Sequence, residues 1–326
     1  MIALVTGATG FIGSHLVEAL LQRGVHVRCL LRKTSDLKWL KGLPVERTYG
    51  DCSDKNSLKE AVKGTNQVFH LAGITKAVKE KTFFEINALG TKNLIQACLD
   101  NNPRIQKFIY LSSQAAAGPC WDGNKKKESD LCEPVSPYGQ SKRMGEELAL
   151  AHAQDIPLLI LRPSAVYGPR ERDFYAFFKL VSKRIKPCLS GEGQHISLCY
   201  VDDIVQAVLL ATQSQVPSGE IFFLSDGQDY QLEEVGDIMA QAMGINAICI
   251  RVPGWVITGM ASFLEYFSKL SGKPPLLNKG KVEEVVQKNW VCDITKAKTA
   301  LGFQPKISLL EGAKLTFEWY KKENWL

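Results

Sequence analysis

A chain of 326 residues, 45% of them hydrophobic and 23% charged, has ordinary globular composition and is long enough for one large domain or two smaller ones. Its formal net charge of +6 is spread out, with small clusters such as Lys125-Lys126-Lys127, and reads as solvated surface, not as a nucleic-acid patch. A mildly basic protein still suits an anionic ligand such as a phosphorylated cofactor.

Ile2-Ala3-Leu4-Val5 is a continuous apolar run, as expected of a strand buried on both faces. A glycine-rich stretch from Thr6 to Gly13 follows. His15 to Gln22 then carries Leu16, Ala19 and Leu20 at helical spacing, until Gly24 stops it. Val27 to Leu31 reads as a second strand, which completes a βαβ unit. The alternation continues with a helical pattern at Leu58–Val62, a strand at Gln67–Leu71, a helix at Phe83–Cys98 and a strand at Lys107–Leu111. Gly118 to Pro137 is a polar loop, Gly139–Ala153 a helix and Pro157–Leu161 a strand. Such alternation predicts a parallel sheet covered on both faces. Beyond Arg162-Pro163 the rhythm is irregular: residues 174–184 and Ile204–Thr212 are helical in pattern and Ile221–Leu224 is a strand. From residue 228 onward the pattern is helical and loopy without strong strand runs, as in a smaller lobe that lids a pocket.

The nine cysteines are scattered singly, with no Cys-x-x-Cys and no histidine pair at metal spacing. That predicts reduced thiols, a reducing compartment and no metal site. No basic leader precedes the first apolar run, and no run of eighteen apolar residues exists; the nearest stretch, Ala247–Leu264, is interrupted by Arg251 and Pro253. The expectation is a cytoplasmic protein without a transmembrane segment, acting on a small molecule and not on nucleic acid.

Gly7, Gly10 and Gly13 are spaced for a dinucleotide-binding turn between strand and helix. The first permits the tight turn, the second lets a pyrophosphate approach the backbone, and the third allows close helix–strand packing. Free N–H groups at the helix N-terminus hold the phosphates. The second strand ends in Leu31-Arg32, where an NAD site usually carries Asp or Glu for the ribose hydroxyls. Leu31 accepts no hydrogen bond, and the planar fork of Arg32 suits a 2′-phosphate, which favours NADP and leaves NAD possible.

Tyr138 and Lys142 stand four apart at the start of the helix after the polar loop, and so share one helix face. A cation beside a phenol favours the phenolate, and such a tyrosine exchanges protons with a carbinol or carbonyl oxygen.

These motifs, with Gly50-Asp51, His70-Leu71-Ala72-Gly73, Asn87 before Gly90-Thr91, Leu111-Ser112-Ser113, Arg162-Pro163 with Tyr167-Gly168-Pro169, Tyr200-Val201-Asp202-Asp203 and the ending Asp293–Pro305, run almost end to end. In this order they resemble the extended short-chain dehydrogenases/reductases of the NAD-dependent epimerase/dehydratase superfamily. The resemblance implies an α/β, Rossmann-type doubly wound parallel sheet with a smaller, mostly helical C-terminal substrate lobe. Residues 1–163 and about 200–227 would bind the dinucleotide, and about 164–199 and 228–326 the substrate. It implies Ser113, Tyr138 and Lys142 as the catalytic set, with Ser112 the alternative to Ser113. Lys142 would also bind the nicotinamide ribose. Cofactor contacts would come from Gly7, Thr9, Gly10, Phe11, Ile12 and Gly13, from Arg32, Asp51 and Cys52, and from Leu71, Ala72, Gly73, Lys76 and Asn87. Ser112, Tyr138, Lys142, Pro163 and Ala165 would complete that set. The family commonly dimerises through two helices per subunit, here Phe83–Cys98 and Gly139–Ala153, so a homodimer is expected.

Relatives that act on nucleotide-sugars usually carry Asn at the position of Ala165 and Arg at that of Ile196, both for the diphosphate. Losing two charge-assisted contacts costs about 1.5–3 kcal/mol each. Arg162-Pro163-Ser164-Ala165-Val166-Tyr167-Gly168-Pro169 is closer to 3β-hydroxysteroid dehydrogenases, sterol dehydrogenases and dihydroflavonol-type reductases. The expected activity is hydride transfer between nicotinamide and a secondary alcohol or ketone on an apolar or ring-containing molecule. The alternatives are a nucleotide-sugar epimerase or dehydratase with tightly bound NAD, His195 and Arg170 compensating in part, and a non-catalytic NADP-binding regulator. An apolar stripe from Val252 through Trp255, Ile257, Met260, Phe263, Leu264 and Phe267, followed by Gly272–Leu277, is either core of the small lobe or a pocket wall.

Overall fold

Ile2–Thr6 lies inside a seven-stranded sheet whose order is 220–224, 158–163, 107–111, 67–70, 2–6, 26–31, 46–49. Every pairing in it is parallel. The structure is a computed structural model that describes residues 1–121, 123–189, 193–271 and 279–326. The continuous apolar runs become strands with both faces covered: Leu158–Pro163 is buried at every position. Helices Phe11–Gln22 and Val201–Gln213 pack on one face, and Gly90–Asn101 and Pro137–Leu150 on the other, each closing a separate buried cluster.

The direction of strand addition reverses between 2–6 and 67–70. Ligands of doubly wound sheets bind in the crevice at the carboxyl ends of the strands at such a switch point. Here His70 ties both strands to the helix behind them, with Nδ1 2.8 Å from Thr6 Oγ1 and Nε2 3.0 Å from Thr91 Oγ1. The Thr91 hydroxyl donates to the Asn87 carbonyl, so His70 donates through Nε2 and accepts at Nδ1. Burial holds this neutral imidazole at a pKa of about 3.

A third buried cluster, with Tyr167, Phe178, Met239, Leu309 and Tyr320, joins helices Asp173–Ser182, Leu232–Ala242 and Leu309–Lys322. Helices Gly254–Ser271 and Lys279–Val285 pack against each other beside it.

Several sequence expectations are corrected. Ile248–Val252 is a strand paired in parallel with Ile185–Leu189, in regions read as helical and loopy. Its partner is distant in the chain, and the apolar run Ala247–Ile250 is cut short by Arg251 and Pro253 and stays exposed or half-buried, so the run alone did not mark a strand. Glu46–Tyr49 is the polar edge strand of the main sheet and carries no hydrophobic signal. The helix at Phe83–Cys98 is α at Glu80–Phe83, π at Phe84–Leu89 and α again at Gly90–Asn101. Cys188 and Cys249 are joined as a disulfide across the paired strands, with Cα atoms 5.9 Å apart, so not all nine thiols are free. Spacing along the chain could not show this, because the tertiary pairing creates the proximity. The other seven cysteines form no disulfide among the described residues, and all but Cys132 are buried. In the stripe, Trp255, Met260 and Phe263 are exposed and so are not core. Gly272–Leu277 and the side chains of Ile257 and Phe267 lie outside the described residues.

Candidate active site

Ser136 starts the helix that carries Tyr138. Its hydroxyl accepts from the Gly139 N–H at 3.0 Å, and Pro137 occupies the first turn, where its missing N–H costs nothing. The same hydroxyl donates to Glu284 Oε1 at 2.5 Å, which fastens helix Lys279–Val285 to the head of this one. Gly139 permits the approach of the preceding chain, since a Cβ there would stand 2.4 Å from the Ala115 carbonyl oxygen.

Tyr138 and Ser113 both line the pocket, and Tyr138 packs edge-on against Phe83 at 6.2 Å. Burial pushes its pKa up to about 12, the Ser113 hydroxyl opposes this, and the Glu284 charge adds to it. Lys142 is buried, donates to the Leu111 carbonyl at 2.8 Å and lies 4.4 Å from the Tyr110 ring centre. Burial lowers its pKa to about 7, against the pull of Glu146. The two side chains share a helix face, yet burial and not the lysine sets the state of the phenol. At neutral pH Tyr138 is a protonated donor.

Glu146, one helical turn further on, is fully buried and holds Arg162 through Nε at 2.9 Å and Nη2 at 2.7 Å. The Arg162-Pro163 motif is therefore anchored in the fold by its arginine, while Pro163 lines the pocket.

At the glycine turn, Gly7 has φ 71° and its Cβ would meet the Leu71 and Ala72 backbone at 2.7 Å. A Cβ on Gly13 would stand 2.1 Å from the Gly7 carbonyl oxygen. Gly10 is the N-cap of helix Phe11–Gln22, and no side chain caps it. The open amides of this helix, the absence of side chains from the turn and the neighbouring Leu71-Ala72-Gly73 strand end suit a dinucleotide pyrophosphate. Arg32 is exposed beside it, with its N–H donating to Ser35 Oγ. Thr9, Phe11 and Ile12 belong to the same turn, with Thr9 and Ile12 half-buried and Phe11 edge-on to His15.

Other sequence-predicted residues are occupied internally. The Asp51 carboxylate accepts from the N–H and hydroxyl of Ser53. Cys52 is buried, its Cβ 3.2 Å from where a Cβ on Gly90 would be. Asn87 accepts from the Ile74 N–H and donates to the Ile74 carbonyl and Ser141 Oγ, so its buried amide holds the Gly73-Ile74 loop in place. Lys76 is ion-paired with Asp173. Ser112 Oγ is buried without a partner among the described residues, and of the two serines it is Ser113 that lines the pocket.

That pocket has a volume of about 1080 Å³. Ser113, Gln114, Tyr138, Pro163, Ser164 and Ala165 form its floor. Ile196 and His195 form one wall, and Glu265, Ser268 and residues from 279 to 290 form its roof. Ala165 and Ile196 thus both face the pocket, whereas Arg170 is turned to Glu18 at 2.7 Å and stacks on Trp39. Sequence reading missed Gln114 and Glu284. Gln114 belongs to no motif, and Glu284 reaches the site only because its helix folds back over Ser136.

A model of the NAD dependent epimerase/dehydratase family matches residues 3–224. The chain belongs to that family. It is an NAD(P)-dependent enzyme of the extended short-chain dehydrogenase/reductase superfamily. Among members of the family, it is 30% identical to a ceramide reductase of Caulobacter vibrioides, over 100% of this chain and 96% of the relative. It is 28% identical to a UDP-glucose 4-epimerase of Vibrio cholerae, over 98% of this chain and 96% of that one. The structure of a UDP-glucose 4-epimerase from Thermotoga maritima with UDP-glucose superposes at TM-score 0.81, with 25% identity, 99% coverage of this chain and 100% of that chain. Epimerase/dehydratase relatives thus include both reductases and sugar-nucleotide enzymes. Among the described residues no helix is long and apolar enough to cross a membrane.

Proposed function

We propose that this protein is an NADP-dependent reductase of a ketone on a largely apolar small molecule. One observation carries the reading: Tyr138 and Ser113 open on a pocket also lined by Ala165 and Ile196, where a diphosphate would need donors. Bound cofactor supplies the hydride. Ser113 and Tyr138 hold the substrate oxygen between them. The phenol, protonated because burial raises its pKa, gives its proton to that oxygen as charge develops there. Lys142 lies beside Gly73, its Nζ 4.0 Å from where a Cβ would be, and would hold the nicotinamide ribose. Gly7, Gly10 and Gly13 would hold the pyrophosphate, and Arg32 the 2′-phosphate. Residues 164–199 and 228–326 would be the substrate lobe. A dimer would use the helices of Phe83–Cys98 and Gly139–Ala153, on which Leu89 and Met144 are exposed.

Calorimetric titration of UDP and dTDP into the cofactor-loaded protein tests this reading. No binding is expected. Micromolar binding would replace it with sugar-nucleotide epimerisation or dehydration.

A further inference from the structure

Two polar side chains on the pocket floor each carry an atom with no partner among the described residues. Gln114 is 4% exposed and Ser164 7% exposed, both line the pocket, and Gln114 Nε2 and Ser164 Oγ have no hydrogen-bond partner among the described residues. They follow the carboxyl ends of adjacent parallel strands, Lys107–Leu111 and Leu158–Pro163. Gln114 is the next residue after Ser113, and Ser164 follows Pro163. Both therefore line the same pocket as Ser113 and Tyr138. A buried polar group left unpaired costs about 1–3 kcal/mol, so such a pair on a pocket floor points to a ligand that completes it.

We propose that Gln114 and Ser164 form a substrate subsite that binds a second, neutral oxygen function carried near the reacting carbon. The amide N–H of Gln114 requires an acceptor, and the Ser164 hydroxyl both donates and accepts. A hydroxyl, carbonyl or amide oxygen satisfies both. A phosphate does not fit as well, because neither side chain carries charge and Ala165 stands beside them. The subsite rests on the reductase reading for its role in turnover, but not for its existence. A hydrogen-bonding site rejects an analogue that lacks the bonded group far more strongly than an apolar wall does. The subsite therefore sets selectivity for oxygenated substrates.

The test uses the full chain, NADPH, a twelve-carbon ketone, and its counterparts bearing a hydroxyl one or two carbons from the carbonyl. The wild type should prefer at least one hydroxyketone on the order of 10²-fold in kcat/KM. Gln114→Met and Ser164→Ala should each reduce that ratio about 10-fold or more, whatever they do to the absolute rate. An equal rate with all ketones in the wild type, or a ratio that survives both substitutions, overturns the proposal. A second readout needs no turnover. In the ligand-free protein each substitution removes a buried unpaired polar atom and should raise Tm by roughly 2 °C. A fall in Tm for both variants means that these groups are bonded internally, and overturns the subsite. If NADPH binds but no ketone is turned over, the reductase reading falls, and the sign of the Tm change alone decides the subsite.

Discussion

On the floor of the pocket, Ser113 and Gln114 stand at the end of a strand buried on nearly every position, and Tyr138 stands on a helix whose start is fixed by Ser136 and Pro137. Behind them lie the bidentate Glu146–Arg162 pair and the Thr6–His70–Thr91 chain, all buried. The roof is made differently. Helix Gly254–Ser271 exposes Trp255, Met260 and Phe263, and helix Lys279–Val285 is held to the floor through Ser136–Glu284 and the Trp290 indole, which donates to the Glu284 carbonyl at 2.7 Å. Deep burial over-determines the geometry of the reacting groups. The roof instead presents exposed apolar side chains on helix Gly254–Ser271 and is tied to the floor at Ser136–Glu284. Chemistry and selectivity are thereby assigned to separately supported surfaces.

The largest effect expected is on the floor. Tyr138→Phe should lower kcat by about 10³-fold or more while NADPH affinity, read by fluorescence titration, stays close to wild type. Substantial residual turnover would remove Tyr138 as the proton donor. Next comes the buried pair. Glu146→Ala strands the Arg162 charge and should cost about 3–5 kcal/mol in chemical denaturation. A loss near zero would mean that the floor is no more rigidly supported than the roof.

Two pH effects should also trace to the floor. His70 is neutral in the fold down to about pH 3, whereas in the unfolded chain it protonates near its ordinary 6.5. Above 6.5 it contributes nothing, and below it only the unfolded state gains the proton, so stability falls as the pH drops from 6.5 toward 3. His70→Gln should flatten that acid slope, and an unchanged slope would exclude His70 as its source. Lys142 is lowered to about 7 from 10.5, so between those values the unfolded state alone is charged. Stability of the cofactor-free protein should therefore fall as pH drops from 10.5 to 7, and Lys142→Met should remove this component of the slope.

Arg32→Ala should weaken NADPH binding about 10-fold or more and leave NADH binding nearly unaltered, because only the 2′-phosphate loses its charge-assisted partner. Equal losses for both cofactors would end the NADP assignment. The smallest effect belongs to the roof. Lys281 lies 3.7 Å from Glu284 and is partly exposed, so Lys281→Gln should change stability by less than about 1 kcal/mol. A larger change would show that this ion pair braces the roof.

Legibility in the sequence follows the same division. Ile2–Thr6, Lys107–Leu111 and Leu158–Pro163 were readable because strands buried on both faces must be continuously apolar. Gly7 and Gly13 were readable because a Cβ there would collide with backbone, and Gly10 because it stands in a tight approach, 3.1 Å from its would-be Cβ to the Gly7 carbonyl oxygen. Glu46–Tyr49 was not, since a polar edge strand carries no such run, and Ile248–Val252 was not, since Arg251 and Pro253 interrupt its apolar run. Gln114 was missed because its significance is that of an unsatisfied group, a property that exists only once its surroundings are known.

The sequence by itself determined the doubly wound sheet, the dinucleotide turn and the placement of Tyr138 and Lys142 on one helix face. All three follow from local periodicity and short-range stereochemistry. Only the tertiary structure decided that burial raises the Tyr138 phenol, that Lys142 turns to the Leu111 carbonyl, that Asn87 is consumed in holding a loop, and that Cys188 meets Cys249. These depend on desolvation and on contacts between residues distant in the chain, and neither is encoded in any one stretch of it.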